Sequence, residues 1–363
     1  MSSKPISLQE IREKINAIDS DILRLLEARG EVALQVADVK RQQKNDPVIY
    51  RPEREAQMIR RYQEQFQGAL DSKDVGSIFR AIISSCRSLQ QQQTIAYLGP
   101  EGTYSQQAVI EQFGPSVKLI PVVSIEEVFN TIKRGDARYG VVPIENSTTG
   151  MINPTLDNMI QSPLKICGEV NVKVECHLLV RDPENAPVEV IYGHPQILAQ
   201  CNQWLAKHYP TAKKVSVNSN GMAAKMANDD SKVAAIAGPL AEDHYELARL
   251  ASHIEDNPNN TTRFVVLGNN EIEPSGDDKT SLLITTPHKP GSLLELIKPF
   301  ASNDVNLTSI SSRPYEHQMW SYIFFIDIDG HYKDEKVQKA LDALGKEPIM
   351  YNILGSYPKA VNS

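Results

Sequence analysis

The sequence predicts a three-part chain: an all-α N-terminal region, a two-lobed α/β centre, and an α+β C-terminal region of ferredoxin-like type. Three observations predict it. Apolar residues recur every three or four positions from Leu8 to Val39. Short apolar runs then alternate with stretches of helical period. After a polar break at Glu271 to Lys279 (EIEPSGDDK), the remaining segments follow a βαββαβ order.

In the N-terminal region, Leu8, Ile11, Ile15, Ile18, Ile22, Leu25, Val32, Val36 and Val39 form one helical seam. At about 1.5 Å per residue, a helix from Leu8 to Arg41 runs roughly 50 Å, longer than a domain of this size needs. Its apolar face is therefore expected to pack on a second copy, giving a homodimer or higher homo-oligomer. Pro52 opens a second helix, and Val75, Ile78, Phe79, Ile82, Ile83, Cys86 and Leu89 mark a third. The run Gln90 to Gln93 reads as a linker.

The centre carries strand-like runs TIAYLG, VKLIPVV, YGVVPIEN, VEVIYG, KKVSV and VAAIAG, with helical stretches such as SIEEVFNTIKRG between them. The extended stretch Leu164 to Val180 and the later RFVVLG are read as crossings between two lobes flanking a cleft. The C-terminal order is carried by TSLLITTP, SLLELIKPF, NLTSISSRP, WSYIFFIDID, EKVQKALDALG and YNILGSYP.

Of 363 residues, 41% are hydrophobic and 23% charged, ordinary globular values. No apolar run approaches the roughly 18 residues of a membrane span, and the N-terminus lacks the apolar core of a signal peptide, so a cytoplasmic protein without a membrane partner is expected. The four cysteines form no CxxC pair and the histidines no metal-ligand spacing; no metal or cofactor is expected. A net charge of -7 argues against nucleic-acid binding. An anionic ligand must be met by local cations.

Such cations stand on the N-terminal seam. Arg29 occupies an apolar position of the seam, where a guanidinium either snorkels to water or meets an anion. Lys40 lies about three turns on, nearly on the same face, and Arg12 lies about 25 Å away. Two antiparallel copies would bring Arg12 of one to Arg29 and Lys40 of the other. With IREKI, LLEAR, PERE and the polar Gln90, residues Leu8 to about Gln92 resemble an all-helical chorismate mutase. The resemblance implies that Arg12, Arg29 and Arg54 hold the carboxylates of chorismate. It further implies that Lys40 and Gln90 bond its ether oxygen and that Glu55 contacts the ring hydroxyl. Arg51 and Cys86 fall at further substrate-facing positions, where better-known members carry an acid and a serine. The rearrangement needs a clamped conformer and positive charge at the breaking C–O bond.

Three central motifs follow. GPEGTYS (Gly99 to Ser105) joins a strand to a helix and sets Thr103 and Ser105 near a helix N-terminus, which favours carboxylates. PIENSTTG places Glu145, Asn146, Ser147 and Thr148 at a strand end, where α/β folds bind ligands. TTRFVVLG sets Thr262 beside Arg263. In this order the motifs closely resemble prephenate dehydratase over about Thr94 to Asn270, extended by HPQ at His194, by Gln200 and by Ser219. The resemblance implies a periplasmic-binding-protein-like pair of lobes and a reaction that removes carbon dioxide and the ring hydroxyl of prephenate to give phenylpyruvate. It sets Thr262 nearest the departing hydroxyl, with Glu145 as an alternative proton source. Arg263 either anchors a carboxylate or braces the cleft. Thr103, Ser105, Asn146, Ser147, Thr148, Gln200 and Ser219 are the implied polar lining.

Finally, KPGSL and NLTSISSRP make Thr280 to Pro358 resemble an ACT regulatory domain. It implies that Gly291, Ser292, Leu293, Asn306, Leu307 and Thr308 bind phenylalanine as an inhibitor. Ser292 and Ser311 depart from the common motifs. The expected domains are 1–92, 93–271 and 279–363. Two rival readings are a monofunctional dehydratase with a vestigial helical dimeriser and a non-catalytic amino-acid-sensing protein.

Overall fold

The computed structural model describes residues 7–42, 49–184, 187–287, 289–314, 321–344 and 350–361. The first helix, α1 (Leu8–Gln42), is long and buries only Ala33 and Ala37. Every residue of the expected seam is exposed, from Val36 at 41% to Leu8 at 64%. Helices α2 (Pro52–Gln65), with proline in its first turn, and α3 (Ser72–Ser88), capped by Asp71, pack on each other.

The centre contains two sheets. The first is built from β1 (Thr94–Leu98), β2 (Lys118–Val122), β3 (Tyr139–Asn146), β4 (Gly150–Met151), β5 (Lys165–Lys173) and β11 (Thr261–Gly268), in the order β2-β1-β3-β11-β5, with β4 on β3. Helices α4 (Tyr104–Phe113), α5 (Ile125–Lys133) and α6 (Asn153–Gln161) cover it. The second has the order β10-β6-β9-β7-β8, from β6 (His177–Val180), β7 (Val190–Gly193), β8 (Lys213–Ser216), β9 (Val233–Ala237) and β10 (Ala248–Ala251). Its helices are α7 (Pro195–Gln200), α8 (Asn202–His208), α9 (Asn220–Asp229) and α10 (Pro239–His244). The run VAAIA of β9 is buried throughout, as a strand covered on both faces must be.

The chain passes from the first sheet to the second between Lys173 and His177 and returns ahead of Thr261. RFVVLG, expected as a crossing, instead lies wholly inside the first sheet, where β11 pairs antiparallel with both β3 and β5. Its unbroken burial reflects two flanking strands rather than a hinge.

The C-terminal part runs β12 (Asp278–Pro287), α11 (Ser292–Ser302), β13 (Leu307–Pro314), β14 (Ser321–Asp329), α12 (Glu335–Leu344) and β15 (Met350–Pro358), an antiparallel sheet of order β13-β14-β12-β15. The three regions are not beads on a string. Ile323, Phe325, Leu354 and Tyr357 share a core with the first central sheet, and Tyr50 enters the core formed by Tyr97, Phe113 and Tyr139. Gln93, expected in a linker, is buried, and its carbonyl accepts from Lys118 N–H.

Candidate active sites

On the helical part, Lys40 Nζ reaches Gln90 Oε1 at 3.3 Å, and Arg29 Nη1 donates to the Ile82 carbonyl at 3.3 Å. Lys40 is held below its usual lysine range, by burial first and then by repulsion from Arg51 and Arg54. A cluster whose cations repel one another is stabilised by an anion placed among them. Cys86 lies half-buried on α3 one turn before Gln90. Arg12 stands near the other end of α1, about 25 Å from Arg29 along the axis, so one chain alone does not bring the two together.

Between the two central sheets lies a cleft of about 920 Å³. One wall carries Pro100, Glu101, Thr103, Ser105, Asn146, Thr262 and Phe264; the other carries His194, Gln196, Ser219, Asn220, Met222, Lys225 and Tyr245. Thr103 caps α4, accepting from Gln106 N–H, and Ser219 caps α9, accepting from Met222 N–H. Two helix N-termini thus face the cleft from opposite walls, each carrying partial positive charge suited to a carboxylate. Gly221 permits the approach: a Cβ there would sit 2.3 Å from the Glu101 carbonyl. Among the described lining residues Lys225 is the only lysine or arginine. Burial lowers the basicity of His194, which favours its neutral form.

Asn146, buried at the end of β3, fixes Thr262. Its Oδ1 accepts from the backbone N–H groups of Thr148 and Thr149 at 3.0 and 3.1 Å, which orients the amide. Its Nδ2 then donates to Thr262 Oγ1 at 2.9 Å and to Asn260 Oδ1 at 2.9 Å. With its oxygen already accepting, the Thr262 hydroxyl proton is free to donate toward the cleft.

Family models match this chain as chorismate mutase type II over residues 11–91, prephenate dehydratase over 95–272 and ACT domain over 280–346. A bifunctional chorismate mutase/prephenate dehydratase of Pseudomonas aeruginosa is 44% identical over 98% of each chain, and one of Neisseria gonorrhoeae is 40% identical over 96% of each. The solved prephenate dehydratase of Arthrobacter aurescens, in complex with L-Phe, superposes with a TM-score of 0.68 at 34% identity, covering 74% of this chain and 91% of that one. This chain belongs to the bifunctional chorismate mutase/prephenate dehydratase family. It converts chorismate to prephenate and prephenate to phenylpyruvate.

Several expected dehydratase residues lie elsewhere than in the cleft. Neighbours on a strand face opposite ways, and β11 sends Thr262 to the cleft and Arg263 behind it. Arg263 is 9% exposed; its Nε donates to Glu169 at 2.7 Å, its Nη1 to Asp327 at 2.5 Å and its Nη2 to Tyr357 at 2.9 Å. Burial opposes its charge, but Tyr357, Asp327 and Glu169 outweigh that and keep it protonated. These contacts brace the dehydratase against the ACT domain, and Arg263 is not in the cleft lining. Glu145 pairs with Arg263 in the ladder, and its carboxylate lies 3.7 Å from that guanidinium, also behind the cleft. Ser147 and Thr148 are spent on Asn259 and Asn260 in the turn, and Gln200 on α7 accepts through its carbonyl from Asp256 N–H. None of the three is in the cleft lining.

In the mutase domain Glu55 is turned to Arg87, whose Nη1 donates to it at 2.5 Å, and it lines a small cavity with Tyr50, Arg80 and Gln112. The sequence reading missed Arg87, Lys225, Asn220 and Tyr245. Lys225 follows the Ser219 cap by six residues, and that spacing on a short helix was the available signal.

In the ACT domain Gly291 is left-handed at φ 88° and immediately precedes α11, leading into Ser292 and Leu293. Asn306 Nδ2 donates to Asp329, Leu307 opens β13, and Thr308 Oγ1 donates to the Asp327 carbonyl. No described helix is long and apolar enough to cross a membrane.

Proposed function

We propose that the chain performs its two reactions at two sites of its own, with domains at 1–92, 93–271 and 279–363. At the mutase site Arg29 and Arg54, with Arg12 from a second copy, hold the carboxylates of chorismate. Lys40 and Gln90 polarise the ether oxygen as its C–O bond breaks. The exposed seam of α1 supports a second copy laid antiparallel on it, which would remove that apolar surface from water and complete two mutase sites per dimer.

At the dehydratase site the helix N-termini of α4 and α9, together with Lys225, receive the two carboxylates of prephenate. Loss of carbon dioxide leaves its electron pair to the ring, and the C–O bond to the ring hydroxyl breaks as aromaticity forms. Thr262, held by Asn146, donates a hydrogen bond to the departing oxygen; a threonine is too weak an acid for full proton transfer to lead. The hydrogen bond from Asn146 into Thr262 carries this reading. The two lobes are read as a hinged pair of periplasmic-binding-protein type that closes on substrate.

Phenylalanine is read as the inhibitor, bound about Gly291, Ser292, Leu293, Asn306, Leu307 and Thr308. The L-Phe complex of the Arthrobacter relative supports this. Inhibition requires tighter binding to the less active state. Thr308 bonds the Asp327 backbone, and Asp327 bonds Arg263 directly behind Thr262, a short physical route between the domains.

Paired variants test the assignment. Arg29→Ala is expected to abolish only chorismate turnover and Thr262→Ala only prephenate turnover; loss of neither activity contradicts the site assignments.

A further inference from the structure

Arg87 belongs to neither cluster of substrate-facing residues, yet its side chain is 5% exposed. Its contacts come from two domains. Nη1 donates to Glu55 Oε1 on α2, and Nη2 donates to the Phe113 carbonyl at the end of α4 at 2.5 Å. The guanidinium also lies over the rings of Tyr50 and Phe113, 5.0 and 5.7 Å from their centroids. A buried guanidinium is tolerated only when its donors are met, and here the acceptors come from the mutase and dehydratase together.

Tyr50 supplies the other half of the junction. It is 1% exposed, its ring sits 4.6 Å from that of Phe113, and its hydroxyl accepts from Gln112 Nε2 at 2.8 Å. The start of α2 is therefore pinned twice, by Tyr50 just before it and by Glu55 in its first turn. Between those pins stand Arg51 and Arg54, the two cations that repel Lys40. Three like charges push apart unless the backbone that carries them is held.

We propose that Arg87 is a positioning residue of the mutase: by clamping Glu55 onto the dehydratase backbone, it sets α2 so that Arg54 stands beside Lys40 ready for the chorismate dianion. The proposal rests on the reading of Arg54 and Lys40 as substrate ligands. It makes the dehydratase domain a structural part of the mutase site. A residue that merely stapled the domains would affect both activities or neither.

The test is steady-state kinetics of both reactions in the full-length chain carrying Arg87→Met, Arg87→Lys, Glu55→Gln, the Arg87→Met/Glu55→Gln double variant, or Arg54→Ala. Arg87→Met is expected to raise the chorismate KM about tenfold with kcat changed less than about twofold, because small misplacement of a binding group weakens capture. Prephenate kinetics stay unchanged. Glu55→Gln, whose amide oxygen can still accept from Arg87 Nη1 but without the charge, gives a smaller rise, and the double variant gives the same rise as Arg87→Met. Arg87→Lys, which can reach one acceptor but not both, gives about a threefold rise and carries the test should the methionine variant not fold. An unchanged chorismate KM in Arg87→Met, or equal losses of both activities, overturns the proposal. Arg54→Ala separates the two readings: if it raises KM while Arg87→Met does not, only the positioning role fails. If Arg54→Ala has no effect, the ligand reading fails and the positioning role with it.

Discussion

Replacing Thr262 by valine removes one hydroxyl and almost nothing else. Valine keeps the shape, and Asn146 Nδ2, which loses Thr262 Oγ1 as an acceptor, still has Asn260 Oδ1 at 2.9 Å. The second Asn146 N–H is left with only the Thr261 carbonyl at 3.5 Å, so the fold should lose about 1 kcal/mol. Catalysis should lose far more. A hydrogen bond aimed at charge developing on a departing oxygen contributes about 2.7–4 kcal/mol, or roughly 10²–10³-fold in kcat. The assay is phenylpyruvate formation from supplied prephenate, with chorismate consumption by the same preparation as control. The expected result is a collapse of dehydratase kcat, prephenate KM within about twofold, and mutase turnover intact. A dehydratase kcat within about threefold of the parent would refute the role given to Thr262, whatever the cleft geometry.

Two further predictions concern charge. Lys225→Met is expected to raise the prephenate KM about five- to tenfold with kcat nearly unchanged, since an exposed cation contributes binding and little else; an unaltered KM removes Lys225 as a carboxylate anchor. Lys40 must be protonated to bond the ether oxygen, and its pKa lies below the ordinary 10.5 through burial and the nearby Arg51 and Arg54. Mutase activity is therefore complete below that lowered pKa and lost as pH rises through it. Arg51→Glu turns a repulsion into an attraction, so the alkaline limb of the mutase profile moves to higher pH; a limb that stays put contradicts the cation cluster.

The long α1 helix was legible because its apolar spacing holds for about nine turns from Leu8 to Val39, and Arg29 stood out as the charge that interrupts that seam. The βαββαβ order was legible for the same reason, since period and turn residues are local. What adjacent residues do was less so. Motif resemblance grouped Thr262 with Arg263 and Asn146 with Glu145, although the period of a strand sends neighbours to opposite faces. Applying that rule would have separated the cleft residues from the brace behind them. Arg87 was out of reach for a different reason. Its partners Glu55 and Phe113 are 32 and 26 residues away, on other helices, and no local pattern reports such a junction. An arginine following Cys86 on an otherwise apolar stripe was the only trace.

The most direct test of the account is a time course of the full-length protein with chorismate, following chorismate, prephenate and phenylpyruvate together, with and without phenylalanine. The account predicts that chorismate falls, prephenate passes through a transient, and phenylpyruvate accumulates more slowly when phenylalanine is present. Prephenate that accumulates and stays, or chorismate left untouched while supplied prephenate is consumed, would contradict the claim that one chain carries both working sites.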